Sequence, residues 1–217
     1  MRQSWHDPYV WVHVAGILMF PLWMGLCALG LASADPVLPL WLEMAAIALL
    51  GAGPIVAMQV LRPFNIFSAL MVAIPTDCLD DDRRRILALF QERDQQLLAI
   101  AIAALMCCFL VDAYHLAPLV EAFSPVQVAP GAGISRIVLA TVGFLGANLF
   151  LQVPMATLRV MAMPDVAVTQ ATPITREDAA EQFTTLGWQW AALVAQTATE
   201  EPETSDSSAS DITLSAP

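Results

Sequence analysis

The chain contains no lysine. Its nine basic residues are all arginine, set against 20 acids, for a net charge of −11. That balance argues against a domain that reads nucleic acid. Charge of either sign is scarce, at 13% of 217 residues, about half the share of a soluble domain. Histidine is limited to His6, His13 and His115. The cysteines are Cys27, Cys78, Cys107 and Cys108, and none shows C-x-x-C spacing. They read as small apolar residues rather than metal ligands or a disulfide framework. There is no phosphate loop, no nucleophile elbow and no convincing internal repeat. No catalytic constellation and no resident cofactor are therefore expected.

What is abundant is apolar. Hydrophobic residues make up 58% of the chain, and mean hydropathy is +0.64. About 20 helical residues cross the roughly 30 Å hydrocarbon core of a bilayer. Four windows are long enough: 10–32, 37–61, 97–117 and 137–160. In lipid each must be helical, because no water is there to satisfy the backbone. The expected fold is an all-α integral membrane domain over 1–160, with four transmembrane helices and interfacial helices. An acidic low-complexity tail follows over 161–217, disordered towards its end and with a short amphipathic helix near 176–196. Ala32-Ser33-Ala34 resembles a signal-peptidase site, but the preceding apolar run exceeds the usual 7–15 residues of a signal core. An uncleaved first span is the better reading. Pro21, Pro39, Pro54 and Pro154 lie inside the spans as kinks.

Arginine placement sets the orientation. Arg2, Arg62, Arg83, Arg84, Arg85, Arg93, Arg159 and Arg176 fall in the N-terminus, the 62–96 loop and the C-terminal segment; only Arg136 falls opposite. Both termini and the 62–96 loop are expected in the cytoplasm. Within 64–75, Phe64, Phe67, Met71 and Ile74 recur at helical spacing over a stretch too short to span. That predicts an interfacial or re-entrant segment. Asp80-Asp81-Asp82-Arg83-Arg84-Arg85 fits a helix start, with acids near the positive end of the dipole. Arg83, Arg84 and Arg85 suit anionic headgroups or an acidic partner, or simple anchoring.

Residues 161–217 hold nine acids and one arginine. The last stretch, 197–217, is too polar to fold alone. Thr175-Arg176-Glu177-Asp178 resembles a capping box. Phe183, Leu186, Trp190, Leu193 and Val194 follow on one helical face, which predicts an amphipathic helix over about 176–196. Trp188 and Trp190 join the three arginines as candidate contact residues.

Ionisable residues within spans are functional candidates by default. Glu43 lies about 9 Å inside the second window at 1.5 Å per residue. Asp112 and His115 share a face near the outer end of the third. The three match in depth and form a candidate cluster for a proton or cation; alternatively they snorkel to the surface. His13 and His115 fall on opposite sides, which disfavours a bis-histidine haem. His13 alone is a weak candidate for ligating a pigment. Asn148 and Gln152 are expected to hydrogen-bond across the bundle. Ala140, Gly143, Gly146 and Ala147 are candidates for close helix packing, either within the bundle or against another membrane protein.

Several segments together carry a resemblance. They are Ser4-Trp5-His6-Asp7-Pro8-Tyr9-Val10-Trp11, His13-Val14-Ala15-Gly16, Leu38-Pro39-Leu40-Trp41-Leu42-Glu43 and Arg62-Pro63-Phe64-Asn65-Ile66-Phe67-Ser68. The fourth span adds Asn148-Leu149-Phe150-Leu151-Gln152-Val153-Pro154 and Leu158-Arg159-Val160. In combination the chain resembles the cyanobacterial low-complexity tail membrane protein family over about 1–160, and the tail fits by composition. The resemblance implies a thylakoid or plasma membrane and assigns no catalytic residue. The expected function is a membrane interaction protein, an auxiliary or assembly factor of a larger complex, with a photosynthetic complex as the leading partner. Its oligomeric state is left open. The alternative class is a small transporter or proton-linked protein using Glu43, Asp112 and His115.

Overall fold

The computed structural model describes residues 7–69, 72–74, 79–121, 133–185 and 188–189. The chain opens with α1 (Pro8–Ala15), a 3-10 turn (Gly16–Met19), α2 (Phe20–Ala32) and α3 (Leu40–Leu61). Two short strands follow, β1 (Ser68–Ala69) and β2 (Val72–Ala73), and then α4 (Asp81–Phe90). The long helices α5 (Arg93–Glu121) and α6 (Gly133–Ala162) come next. The chain then forms α7 (Asp165–Gln170), α8 (Arg176–Gln182) and β3 (Trp188–Gln189). Four helical stretches are long and apolar enough to cross a membrane: Pro8–Ala32, Leu40–Leu61, Arg93–Glu121 and Gly133–Ala162.

Local chemistry explains the boundaries. Asp7 caps α1 by accepting a hydrogen bond from the Tyr9 amide at 3.0 Å, with Pro8 at the first helical position. Pro21 has no amide hydrogen to donate, and the first span tightens to a 3-10 turn just before it. Pro39 is extended and precedes α3, so the second span starts three residues later than its apolar window. Pro54 and Pro154 stay inside α3 and α6.

The bundle core is built from Cys27, Leu31, Ile47, Met106, Leu110 and Phe144. Its closest crossing is α2 against α6. A Cβ on Gly143 would lie 2.7 Å from the Cys27 Cα, and one on Gly30 would lie 2.8 Å from the Ala140 Cα. Gly146 takes the Trp23 indole face. Ala140, Gly143, Gly146 and Ala147 thus pack within the bundle, and Ala140 and Ala147 are fully buried. The outer surface is apolar, with Leu49, Leu50, Trp41 and Leu105 exposed. That is the surface of a protein whose solvent is lipid.

A second core sits at the end of the bundle where the first span begins and α6 ends. Val10, Phe67, Leu87, Phe90, Val160, Ala179 and Phe183 meet in it. This cap departs from expectation in two places. The described residues of 64–74 form no interfacial helix. Asn65 accepts from the Phe67 amide at 3.0 Å through its side chain, and from the Ser68 hydroxyl at 2.8 Å through its carbonyl. That turn leads the chain into β1, which pairs antiparallel with β2, Ser68 against Ala73. Periodicity alone does not register the turn. The second departure is the amphipathic helix expected over 176–196. Thr175 caps α8, accepting from the Asp178 amide at 3.0 Å, but the helix ends at Gln182. Phe183 is extended and buried in the cap core. The Thr184 amide donates to the Pro63 carbonyl, and the Asn65 amide donates to Thr184, each at 3.0 Å. β3 then pairs in parallel with β2, Val72 against Trp188. Strand pairing with the 63–74 segment overrides the helical pattern. Trp190, the rest of the expected helix and the acidic tail from 190 lie outside the described residues.

The cap is tied together by polar contacts. Arg83 pairs with Asp7 at 3.0 Å and lies over the Phe67 ring, 5.5 Å from its centroid. Arg84 pairs with Asp81 and donates to the Ile174 carbonyl at 3.1 Å. Arg85 lies 3.8 Å from Asp82. Phe183→Ala removes a buried ring from this core and is expected to cost about 3–5 kcal/mol. Limited proteolysis of membrane-embedded protein should show faster cutting near α8; unchanged cutting rates would rule out this account of the cap.

Candidate functional site

At the end of the bundle opposite the cap, α3 and α6 both begin, and α2 ends. Glu43 and Arg136 are each the fourth residue of their helices. They meet in a buried ion pair between Arg136 Nη1 and Glu43 Oε1, with side-chain exposures of 2% and 1%. Arg136 Nε also donates to the Leu31 carbonyl at 2.9 Å. That carbonyl belongs to the last turn of α2, where no intrahelical donor remains. One guanidinium therefore ties three helices. Glu43 sits well at the positive N-terminus of α3, whereas Arg136 opposes the dipole of α6; the pair offsets that opposition. Glu43 Oε2 is buried with no hydrogen-bond partner among the described residues.

The expected trio does not assemble. Glu43 is buried, while Asp112 and His115 lie on the exposed face of α5. His115 rests edge-on against Tyr114, with ring centroids 5.9 Å apart. Among the described residues no group of three His, Cys, Asp or Glu side chains is placed to hold a metal ion. The partner of Glu43 is instead Arg136, which charge counting set aside as the odd cation of the outer loops. The available signal was positional: opposite charges one turn inside two helices that start at the same side.

The remaining polar groups run down the buried face of α6. The Asn148 amide donates to the Phe144 carbonyl at 2.9 Å, and Gln152 donates to Asn148 at 3.3 Å. These bonds run along the helix rather than across the bundle. Thr157 returns its hydroxyl to Val153 at 2.9 Å. Arg159 then closes the cap end, donating to Gln95 at 2.9 Å and meeting Glu92 and Asp94 at 3.3 Å. His13 donates through Nδ1 to the Tyr9 carbonyl at 2.8 Å and packs against Phe64. It joins the first span to the cap. Arg83, Arg84 and Arg85 turn towards the chain's own acids and carbonyls, as described above. Trp188 enters through its backbone pairing in β3.

No curated protein and no solved structure matches the chain. A family model described as low-complexity tail membrane protein-like matches residues 6–195. The match runs past residue 160, where the resemblance of individual segments stops, and it takes in α7, α8 and β3.

Proposed function

This chain belongs to the low-complexity tail membrane protein-like family, and from that premise we propose that it is an auxiliary or assembly factor, a membrane interaction protein that presents its acidic tail to a larger complex. The cap carries this reading. Thr184 and β3 are pinned by backbone hydrogen bonds to 63–74, so the acids Glu200, Glu201, Glu203, Asp206 and Asp211 follow a folded platform at the membrane surface. Tethering at such a point raises the tail's effective concentration near a neighbouring complex. A tail with five acids and no base after residue 189 suits a basic surface on that partner. The arginine asymmetry supports a cytoplasmic position for the cap and both termini. The burial of Arg136 against Glu43 removes the one cation that ran against that count. In this reading the membrane is a thylakoid or plasma membrane, and a photosynthetic complex is the leading partner. No catalytic group or cofactor takes part.

The test is a native gel of tagged protein in mild detergent, with an absorption spectrum of the band. Full-length protein should co-migrate with a large complex, and removal of 197–217 should shift it to a small band while membrane insertion is kept. A truncated chain that still co-migrates, or a full-length chain that runs alone, overturns the proposal. One observation favours a second reading: the unpaired Oε2 of Glu43 is the kind of group a proton-linked transporter uses. Loss of ion flux in Glu43→Gln with complex association intact would move transport to the front.

A further inference from the structure

The bundle and the cap do not close completely on each other. Between the last turn of α3, the end of α4 and α8 lies a cleft of about 280 Å³. Four carboxamides line it: Gln59, Gln91, Gln96 and Gln182, together with Leu61 and Phe90. No Asp, Glu, Arg or Lys is among its lining residues. The cleft sits where α3 ends and α5 begins on the cap side, which places it at headgroup height for helices of this length.

The carboxamides are not all occupied. Gln91 donates to Gln182 at 2.7 Å, and Gln182 donates to Asp178 at 2.7 Å. Gln96 makes only a long contact of 3.4 Å to the Val60 carbonyl. Gln59 is 4% exposed, and its side chain makes no hydrogen bond among the described residues. The Gln59 amide is not among the sealed, unpaired polar atoms of the interior, so it opens onto the cleft, where a ligand can reach it. An amide both donates and accepts, which matches the hydroxyl group. A phosphate or carboxylate would lose its hydration here without meeting a counter-charge. The volume is just below that of drug-sized pockets, which start at roughly 300 Å³, and it suits one compact group. Leu61 beside it is 75% exposed, so an attached acyl chain would run onto the apolar surface of α3.

We propose that this cleft binds an uncharged, hydroxyl-rich group of the sugar class, with Gln59 and Gln96 as its principal hydrogen-bonding residues. The group is either the headgroup of a neutral glycolipid or a free sugar. The experiment is native mass spectrometry of the full chain in mild detergent. The probes are a monohexosyl diacylglycerol, a phosphatidylglycerol of the same acyl length, and a free methyl hexoside. One hexosyl lipid should be retained per chain. Gln59→Leu and Gln96→Leu should each weaken retention about tenfold, the loss expected for one or two hydrogen bonds. Gln96 and Gln182 lie nearer the rim than Gln59, so Gln96→Leu and Gln182→Ala keep the test valid should Gln59→Leu fail to fold. Retention of the free hexoside with the same variant dependence identifies a soluble sugar as the source and supports the site. Preference for phosphatidylglycerol, equal retention in all variants, or no retention of either hexosyl probe overturns it.

Discussion

Arg136→Ala is expected to destabilise the bundle by roughly 3–5 kcal/mol, the usual cost of removing one partner from a buried ion pair. The Glu43 carboxylate would be left uncompensated at 1% exposure, and the Leu31 carbonyl would lose its donor. Thermal or denaturant unfolding in micelles would measure the loss. The double variant Glu43→Met with Arg136→Met should recover most of it, because two apolar side chains bury no charge. Recovery separates the cost of a stranded charge from the cost of lost packing. An Arg136→Ala protein within about 1 kcal/mol of the parent, the range of an exposed pair, would show that water reaches the pair and that it does not tie the three helices.

Gly143→Ala is expected to be among the most damaging single-methyl changes in the membrane domain, beside Gly30→Ala at the same crossing. The new Cβ would meet backbone rather than a flexible side chain, at 2.7 Å from the Cys27 Cα. Backbone cannot rotate away, so α2 and α6 must part along their whole crossing. Overpacking typically costs about 1–3 kcal/mol, and a backbone clash belongs at or above the top of that range. Gly25→Ala is the matched control on α2. Nothing lies within 4 Å of its added Cβ, and alanine favours the helix over glycine by about 1 kcal/mol. Unfolding midpoints measured side by side should therefore move in opposite directions. Equal midpoints for the two variants would mean that α2 and α6 do not cross this closely.

These two tests bear on what sequence alone could supply. The four spans followed from the bilayer itself. A run of apolar residues of the right length has one structural outcome in lipid, because unsatisfied backbone is too costly there. Helix starts were equally local: Asp7, Pro8 and Thr175 act on amides within three residues of themselves. The stripe of Ala140, Gly143, Gly146 and Ala147 marked a close contact for the same reason, since small side chains permit one. What it met was left open, and the tertiary structure supplied Cys27, Gly30 and Trp23.

The cap and the ion pair were decided only by the fold. Periodicity over 64–75 and 176–196 spelled helix, but Phe183 and Thr184 gained more from the Pro63–Asn65 backbone than from another helical turn. That partner lies more than a hundred residues away in sequence, where no local pattern registers it. Depth counting placed Glu43, Asp112 and His115 at one level but carried no information on rotation about each helix axis. Rotation turned Asp112 and His115 outward and brought Arg136 to Glu43. Sequence thus determined what each segment does along the membrane normal, where hydrophobic length and charge act on it alone. Packing decided what happens around that axis, because only there do side chains from distant segments compete for the same space.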